Sequence, residues 1–235
     1  MPLTLTLQNS INFVSPILKN QPLLVSNNEP ALTAANLILG TMLGPPFKWP
    51  FNRNSYSFPI TKTAGTDYKV TLADFSHLET QWLTDPTSKI YQLSGAVSLA
   101  SEGGVARPTK IAPQYDDDAG NITFRFNSIP DQNYTAFIDY QKRIALMGAP
   151  ASPWGVVPDR FSYIYNQGFL AMMSLLVNDA RFPIFEGYFL ARLLGAQDGL
   201  TDQERNIFIG NWMEVTQTIA RSQSTVAVAA GGRGR

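Results

Sequence analysis

The chain has 235 residues and no cysteine, so no disulfide framework, thiolate metal site or cysteine nucleophile is available to it. Its 18 Lys+Arg balance 18 Asp+Glu, and a formal net charge of zero argues against nucleic-acid binding through a broad basic surface, which is driven by phosphate neutralisation. Hydrophobic residues make up 44% and charged residues 15%, a composition that supports a sizeable core and predicts a surface that meets other subunits, because interface cores are depleted in charge.

Leu3-Thr4-Leu5-Thr6-Leu7 alternates, which predicts a short strand or an extended arm that pairs with a neighbour's sheet edge. The same N-terminus lacks the basic region and continuous apolar core of a secretion signal. No apolar run in the chain approaches the roughly 18 residues that span a bilayer. Residues 10–19 read as a marginal helix interrupted by Pro16. A better helix opens at Asn28-Glu29-Pro30: Asn28 suits the cap, Glu29 favours the positive end, and Pro30 is tolerated in the first turn. Ala31, Leu32, Ala35, Leu37, Ile38, Leu39, Met42 and Leu43 follow, with Gly44 as the C-terminal cap and Pro45-Pro46 as the stop. Phe47-Lys48-Trp49-Pro50-Phe51-Asn52 is an aromatic, proline-studded loop leading into a sheet.

From about residue 54 to 142 the period shifts towards two, and strands are predicted at 55–60, 68–72, 79–83, 89–93, 109–112, 122–126 and 134–141. Gly65-Thr66-Asp67 closes one hairpin, and Asp85-Pro86 breaks another run. The clearest alternation places Ile122, Phe124 and Phe126 inward against Thr123 and Arg125 outward. Residues 94–108, rich in Gly, Ser and Ala, read as a mobile loop.

Pro150, Pro153 and Pro158 punctuate the passage back to helices, and Asp159 caps or begins the first of them. Phe161, Ile164, Tyr165, Gly168, Phe169, Met172, Leu175 and Leu176 recur at intervals of three and four, a helical stripe that must hide against another surface. Asn178-Asp179 ends that helix. A second run carries Phe185, Phe189, Leu193 and Leu194; a third, opened by a Thr201–Glu204 capping box, carries Ile207, Phe208, Trp212, Val215 and Ile219. Beyond Ser222 the stripe is lost, and a flexible tail ending Ala-Gly-Gly-Arg-Gly-Arg is expected.

Motifs that carry chemistry fail on inspection. Asp116-Asp117-Asp118 lacks the spacing of a calcium loop and reads as a solvated hairpin turn. His77 is the only histidine; no Gly-x-Ser-x-Gly elbow accompanies it, and zinc sites with several histidines are impossible. Asp198 and Asp202 fall in a polar inter-helix turn rather than a general acid/base pair. Ser101-Glu102-Gly103-Gly104 lacks the lysine of a phosphate loop. No catalytic, cofactor-binding or metal-ligating residues are therefore assigned, and no cofactor is expected. Arg221, Arg233 and Arg235, in or beside the glycine-spaced tail, are the candidate partner contacts.

The order of these features resembles a known family. It is carried by Leu-Gly-Pro-Pro at the end of the N-terminal helix, Trp82 and Tyr91-Gln92-Leu93, and Arg107-Pro108-Thr109-Lys110-Ile111. Gly120-Asn121-Ile122-Thr123-Phe124-Arg125-Phe126, Ile129-Pro130-Asp131 with Tyr134, and Ile138-Asp139-Tyr140-Gln141-Lys142 continue it. Pro158-Asp159, Tyr165-Asn166-Gln167-Gly168-Phe169-Leu170-Ala171 and Asp179-Ala180-Arg181-Phe182 complete it. This layout is similar to the head-to-tail adaptors, the tail tubular or gatekeeper-like neck proteins of short-tailed bacteriophages. The resemblance implies a non-enzymatic virion protein in the phage neck. It would form a homo-oligomeric ring, a dodecamer, between the portal protein and the tail nozzle or tube protein. DNA would pass through the lumen without sequence-specific binding, and no membrane would be involved. Another tail component (nozzle, tube or tail-completion protein) is the alternative.

The expected fold is α+β: a helical layer, made of an N-terminal helix plus a C-terminal three-helix region, with an inserted antiparallel β-rich domain. The expected boundaries are 1–53 for the arm and helix, 54–148 for the β-rich domain, 149–221 for the helical layer and 222–235 for the tail.

Overall fold

A computed structural model describes residues 6–18, 24–26, 29–100, 104–116, 120–149 and 157–231. The chain is α+β, and it divides into two compact units: a helical one bounded Met1–Phe47 and Ala145–Arg235, and a β-rich one, Lys48–Ile144, inserted into it.

In the helical unit, α1 is Leu7–Val14, and its N-terminus is capped by the Thr6 hydroxyl, which accepts from the Asn9 N–H at 3.3 Å. Leu7, Ile11 and Val14 are buried on one face. Thr6 and Leu7 thus belong to a helix start and not to the short strand or extended arm expected of them. Leu7 sits in phase with Ile11 and Val14, and that three-and-four spacing prevails over the short Leu/Thr alternation. The rest of the alternating stretch lies outside the described residues. The helix expected over 10–19 accordingly starts earlier and ends at Val14.

A short antiparallel pair, β1 (Leu24–Ser26) and β2 (Glu29–Pro30), precedes α2, Ala31–Leu43. Asn28 lies outside the described residues; the capping bond comes from Glu29, whose Oε2 accepts from the Thr33 N–H at 3.1 Å. Gly44 caps the C-terminus as expected, in an extended conformation (φ −77°, ψ 169°), with its N–H donating to Gly40 O at 2.9 Å.

A single 3-10 turn, Asp159–Phe161, leads into α3, Ser162–Leu176, the most buried helix of this unit. Asn178, with φ 56°, adopts the left-handed conformation that Asn tolerates, and it turns the chain into α4, Phe182–Gly195. The capping box forms in both directions at the start of α5, Asp202–Gly231: Thr201 N–H donates to Glu204 Oε2 at 2.9 Å, and Glu204 N–H donates to Thr201 Oγ1 at 3.2 Å. The backbone of α5 stays helical through Gly231, past Ser222 where a flexible tail was expected. Phe208 and Trp212 bind α5 to the unit. Phe208 meets Phe47 edge-on at 4.8 Å, and Trp212 packs on Phe189 at 5.3 Å while its indole N–H donates to Glu186 Oε1 at 2.6 Å.

The β unit contains two four-stranded sheets. The first has the order β3 (Arg53–Ile60), β10 (Tyr134–Lys142), β5 (Phe75–Thr84), β6 (Ile90–Gln92); the second has β4 (Asp67–Thr71), β9 (Asn121–Phe126), β8 (Lys110–Asp116), β7 (Ser94–Gly95). Between these strands all pairings are antiparallel except β7 with β8. The sheets pack face to face through alternate residues. Ile122, Phe124 and Phe126 from β9 meet Phe58, Ala136, Ile138 and Tyr140 from the other sheet, with Phe58 and Phe124 stacked at 5.7 Å.

The chain changes sheets at Leu93, which is buried between Gln92, paired with Trp82 on β5, and Ser94, paired with Lys110 on β8. The stretch 94–108, read as a mobile loop, is therefore held at both ends. Ala96 N–H donates to Ile111 O at 2.9 Å, and Val105 bridges Ile129. Parallel pairing of two residues has no periodic signature, which is why the sequence pattern did not reveal β7.

Candidate functional site

Of the three arginines singled out from the sequence, the structure describes one. Arg221 stands exposed on α5, while Arg233 and Arg235 lie outside the described residues. His77 sits half-buried in β5 with its Nδ1 3.1 Å from the Ser76 hydroxyl. Asp198 and Asp202 are exposed at the turn between α4 and α5. Asp116 ends β8, and Asp117 and Asp118 lie outside the described residues, as do Ser101, Glu102 and Gly103. Among the described residues, no group of three or more His, Cys, Asp or Glu side chains could hold a metal ion. Among them also, no helix is long and apolar enough to cross a membrane.

What the helices do present is apolar surface. On α4, Ile184 and Tyr188 are each 58% exposed. They share one face with Ala191 and Gly195, spaced four, seven and eleven residues from Ile184. The charges of this helix are directed elsewhere. Glu186 holds the Trp212 indole, and the Arg192 guanidinium lies 5.6 Å from the centre of the Tyr163 ring. On α5, Ile207 (54%), Met213 (49%) and Val215 (42%) are exposed. Ile207 and Val215 were expected to face inward with Phe208 and Trp212. Instead Phe208, Trp212 and Thr216 occupy the buried positions, one helical turn apart, and Ile207 and Val215 flank them on the open side.

In the β unit the ionisable groups form local pairs. Arg125 donates through Nε and Nη2 to the two oxygens of Asp67, each at 2.6 Å, and this holds the Asp67 carboxyl below its ordinary range. Burial pushes Glu79 upward, but hydrogen bonds from Arg53 and from Gln141 Nε2 (2.7 Å) outweigh it and hold that carboxyl low. Gln141 in turn accepts the Trp49 N–H at 3.1 Å, so the pair is anchored to the backbone that enters β3. Burial, reinforced by the hydrogen bond it donates to Asp74 at 2.7 Å, pushes the Tyr140 hydroxyl well above its usual range.

The outward face of the first sheet has a different character. Phe137 on β10 stands directly opposite Trp82 on β5, and their rings stack with centroids 5.4 Å apart and planes 2° from parallel. Ser57 and Gln92 continue this row on either side. In the next row, Asp139 accepts from the Ser55 hydroxyl through one oxygen and from the Thr80 hydroxyl through the other, both at 2.6 Å. Neither aromatic was distinguishable from a core residue by type. Only the register, with Leu83, Ala136 and Ile138 buried between, turns them outward.

No protein-family model matches the chain, and no curated protein matches it significantly.

Proposed function

We propose that the chain is a structural virion protein of a tailed bacteriophage. In this reading it is a head-to-tail adaptor whose copies form a homo-oligomeric ring, a dodecamer, joining the portal to the tail nozzle or tube and lining the channel through which DNA leaves. The observation that carries this reading is the exposed Ile184–Tyr188 face of α4 with Ile207, Met213 and Val215 on α5. A soluble chain gains by covering such side chains, and in a ring each copy covers those of its neighbour. The low charge of the chain fits lateral contacts of this kind. Zero net charge fits a conduit, since every fixed phosphate contact would retard the passage of DNA. The layout of short sequence phrases supplies the phage assignment. In this reading Arg221, exposed on α5, would contact the portal or a neighbouring copy.

The experiment is to mix the purified chain with the purified portal of its particle and image the product. A closed ring of this chain stacked on the portal is the expected result. A chain that stays monomeric beside the portal overturns the reading; density for it farther down the tail moves it to the nozzle, tube or tail-completion role.

A further inference from the structure

We infer that the outward face of the β3-β10-β5-β6 sheet is a binding face for a neutral glycan, a function independent of assembly through the helices. The stacked Trp82 and Phe137 rings stand at its centre, 5.4 Å apart, with Gln92 beside Trp82 and Ser57 beside Phe137 in the same row. One strand repeat away, about 6.8 Å along β10 and β5, lies the Ser55–Asp139–Thr80 row. That is the reach of a single sugar ring. A pyranose offers an apolar C–H face and a rim of hydroxyls, and this surface offers the complement of both.

The polar row is arranged to accept. The Ser55 and Thr80 hydroxyls each spend their proton on Asp139, at 2.6 Å, so the lone pairs of both oxygens remain for hydroxyl donors from outside. The exposed Gln92 side chain brings an amide donor to the other end of the aromatic row.

Charge narrows the ligand. The rows Ser57–Phe137–Trp82–Gln92 and Ser55–Asp139–Thr80 contain no Lys or Arg, and the Arg53 guanidinium, from the row beyond Asp139, is held by Glu79. Phosphate, sulfate and uronic-acid groups would find no counter-charge here and would meet the Asp139 carboxylate. A nucleic-acid strand is disfavoured for the same reason. A second copy of the chain is the poorer occupant, because two half-buried rings among hydroxyls offer far less than the roughly 800 Å² per partner of a stable interface.

The test is affinity electrophoresis of the full chain in native gels containing mixed-linkage glucan, galactomannan, xylan or dextran, with alginate and heparin gels as charged comparisons. At least one neutral polysaccharide is expected to retard the chain while alginate and heparin do not. Trp82→Ala should weaken the retardation about ten-fold, the scale of one aromatic contact. Thr80→Ala, an exposed substitution that leaves the aromatic pair intact, should weaken it by a smaller factor and guards against a misfolded Trp82 variant. Tyr188→Glu, in the helical unit, should leave it unchanged. Retardation by none of the neutral polysaccharides, by the charged ones only, or to the same extent in both sheet variants overturns the proposal.

Discussion

The ring edge of Phe189 on α4 occupies the place where a side chain on residue 168 of α3 would begin. A Cβ built on Gly168 would lie 2.7 Å from Phe189 Cε2 and 2.9 Å from both Phe189 Cδ2 and Ile38 Cγ2 on α2. Three helices therefore meet at a point where only glycine fits. In a helix, alanine normally gains about 0.5–1 kcal/mol over glycine, but forcing a methyl into packed neighbours costs about 1–3 kcal/mol. Gly168→Ala should thus destabilise the chain by about 1–2 kcal/mol in urea unfolding, the net of those opposing terms. Gly187→Ala on α4, with nothing within 4 Å of its Cβ, should do the reverse and raise the midpoint slightly.

At the start of α5 the reciprocal bonds of Thr201 and Glu204 satisfy amide groups that the helix cannot pair internally. Thr201→Ala removes the hydroxyl half and should cost about 1 kcal/mol. Thr201→Ser, which keeps the oxygen, should recover most of it. Circular dichroism at 222 nm followed against denaturant reads both, and an alanine variant as stable as the parent would show that tertiary packing alone sets this helix start.

Acid should act on the β unit through its depressed carboxyls. Glu79 and Asp67 are held below their unfolded values by Arg53 with Gln141 and by Arg125. A depressed folded value means that the contribution to stability is complete above the unfolded pKa, near 4 for a carboxyl. It is lost as pH falls towards the folded one. Unfolding midpoints should accordingly be flat from neutral pH down to about 5 and drop below that. The Glu79 side chain is only 7% exposed and accepts from two partners, so Glu79→Gln should cost about 1–2 kcal/mol at pH 7. The same variant should also flatten the acid limb, because the titrating group is gone. Midpoints measured at pH 7 and pH 3.5 for parent and variant check both statements.

Within each unit the elements differ in how openly the sequence declares them. The β9 run announces its own inward face, since Ile122, Phe124 and Phe126 alternate with polar residues and a one-residue slip would bury Arg125. The stripe of α3 is equally plain, because that helix is covered on several sides and almost every apolar position is used. On α5 the same reasoning overshoots. Periodicity assigns angles around a helix but says nothing of how wide the covering neighbour is. Ile207 and Val215 therefore stay in the open while Phe208 and Trp212 are covered. Trp82 and Phe137 illustrate the converse difficulty: large aromatics read as core until the pairing register fixes which way each strand turns them. The Leu93 crossing between sheets depends on pairing partners far apart in the chain, which no local pattern encodes.

The exposed face of α4 gives the sharpest separation between stability and assembly. Tyr188 is 58% exposed, and Phe189 and Leu193 on the opposite side of the helix carry its packing. A surface substitution away from a packed contact usually changes stability by less than about 0.5 kcal/mol. Tyr188→Glu should therefore fold as the parent does, with the same urea midpoint and far-UV spectrum. In a ring, however, the same position would be covered by a neighbouring copy, and an unpaired carboxylate placed there would be desolvated without a partner. The expected result is a stable monomer that no longer forms rings on the portal in sedimentation or micrographs, with Ile184→Asp behaving alike. A control at Lys69, an exposed position on β4 in the other unit, should leave assembly intact when changed to Glu. Rings formed normally by Tyr188→Glu would move the lateral contact away from α4, and the reading built on that face would fall with it.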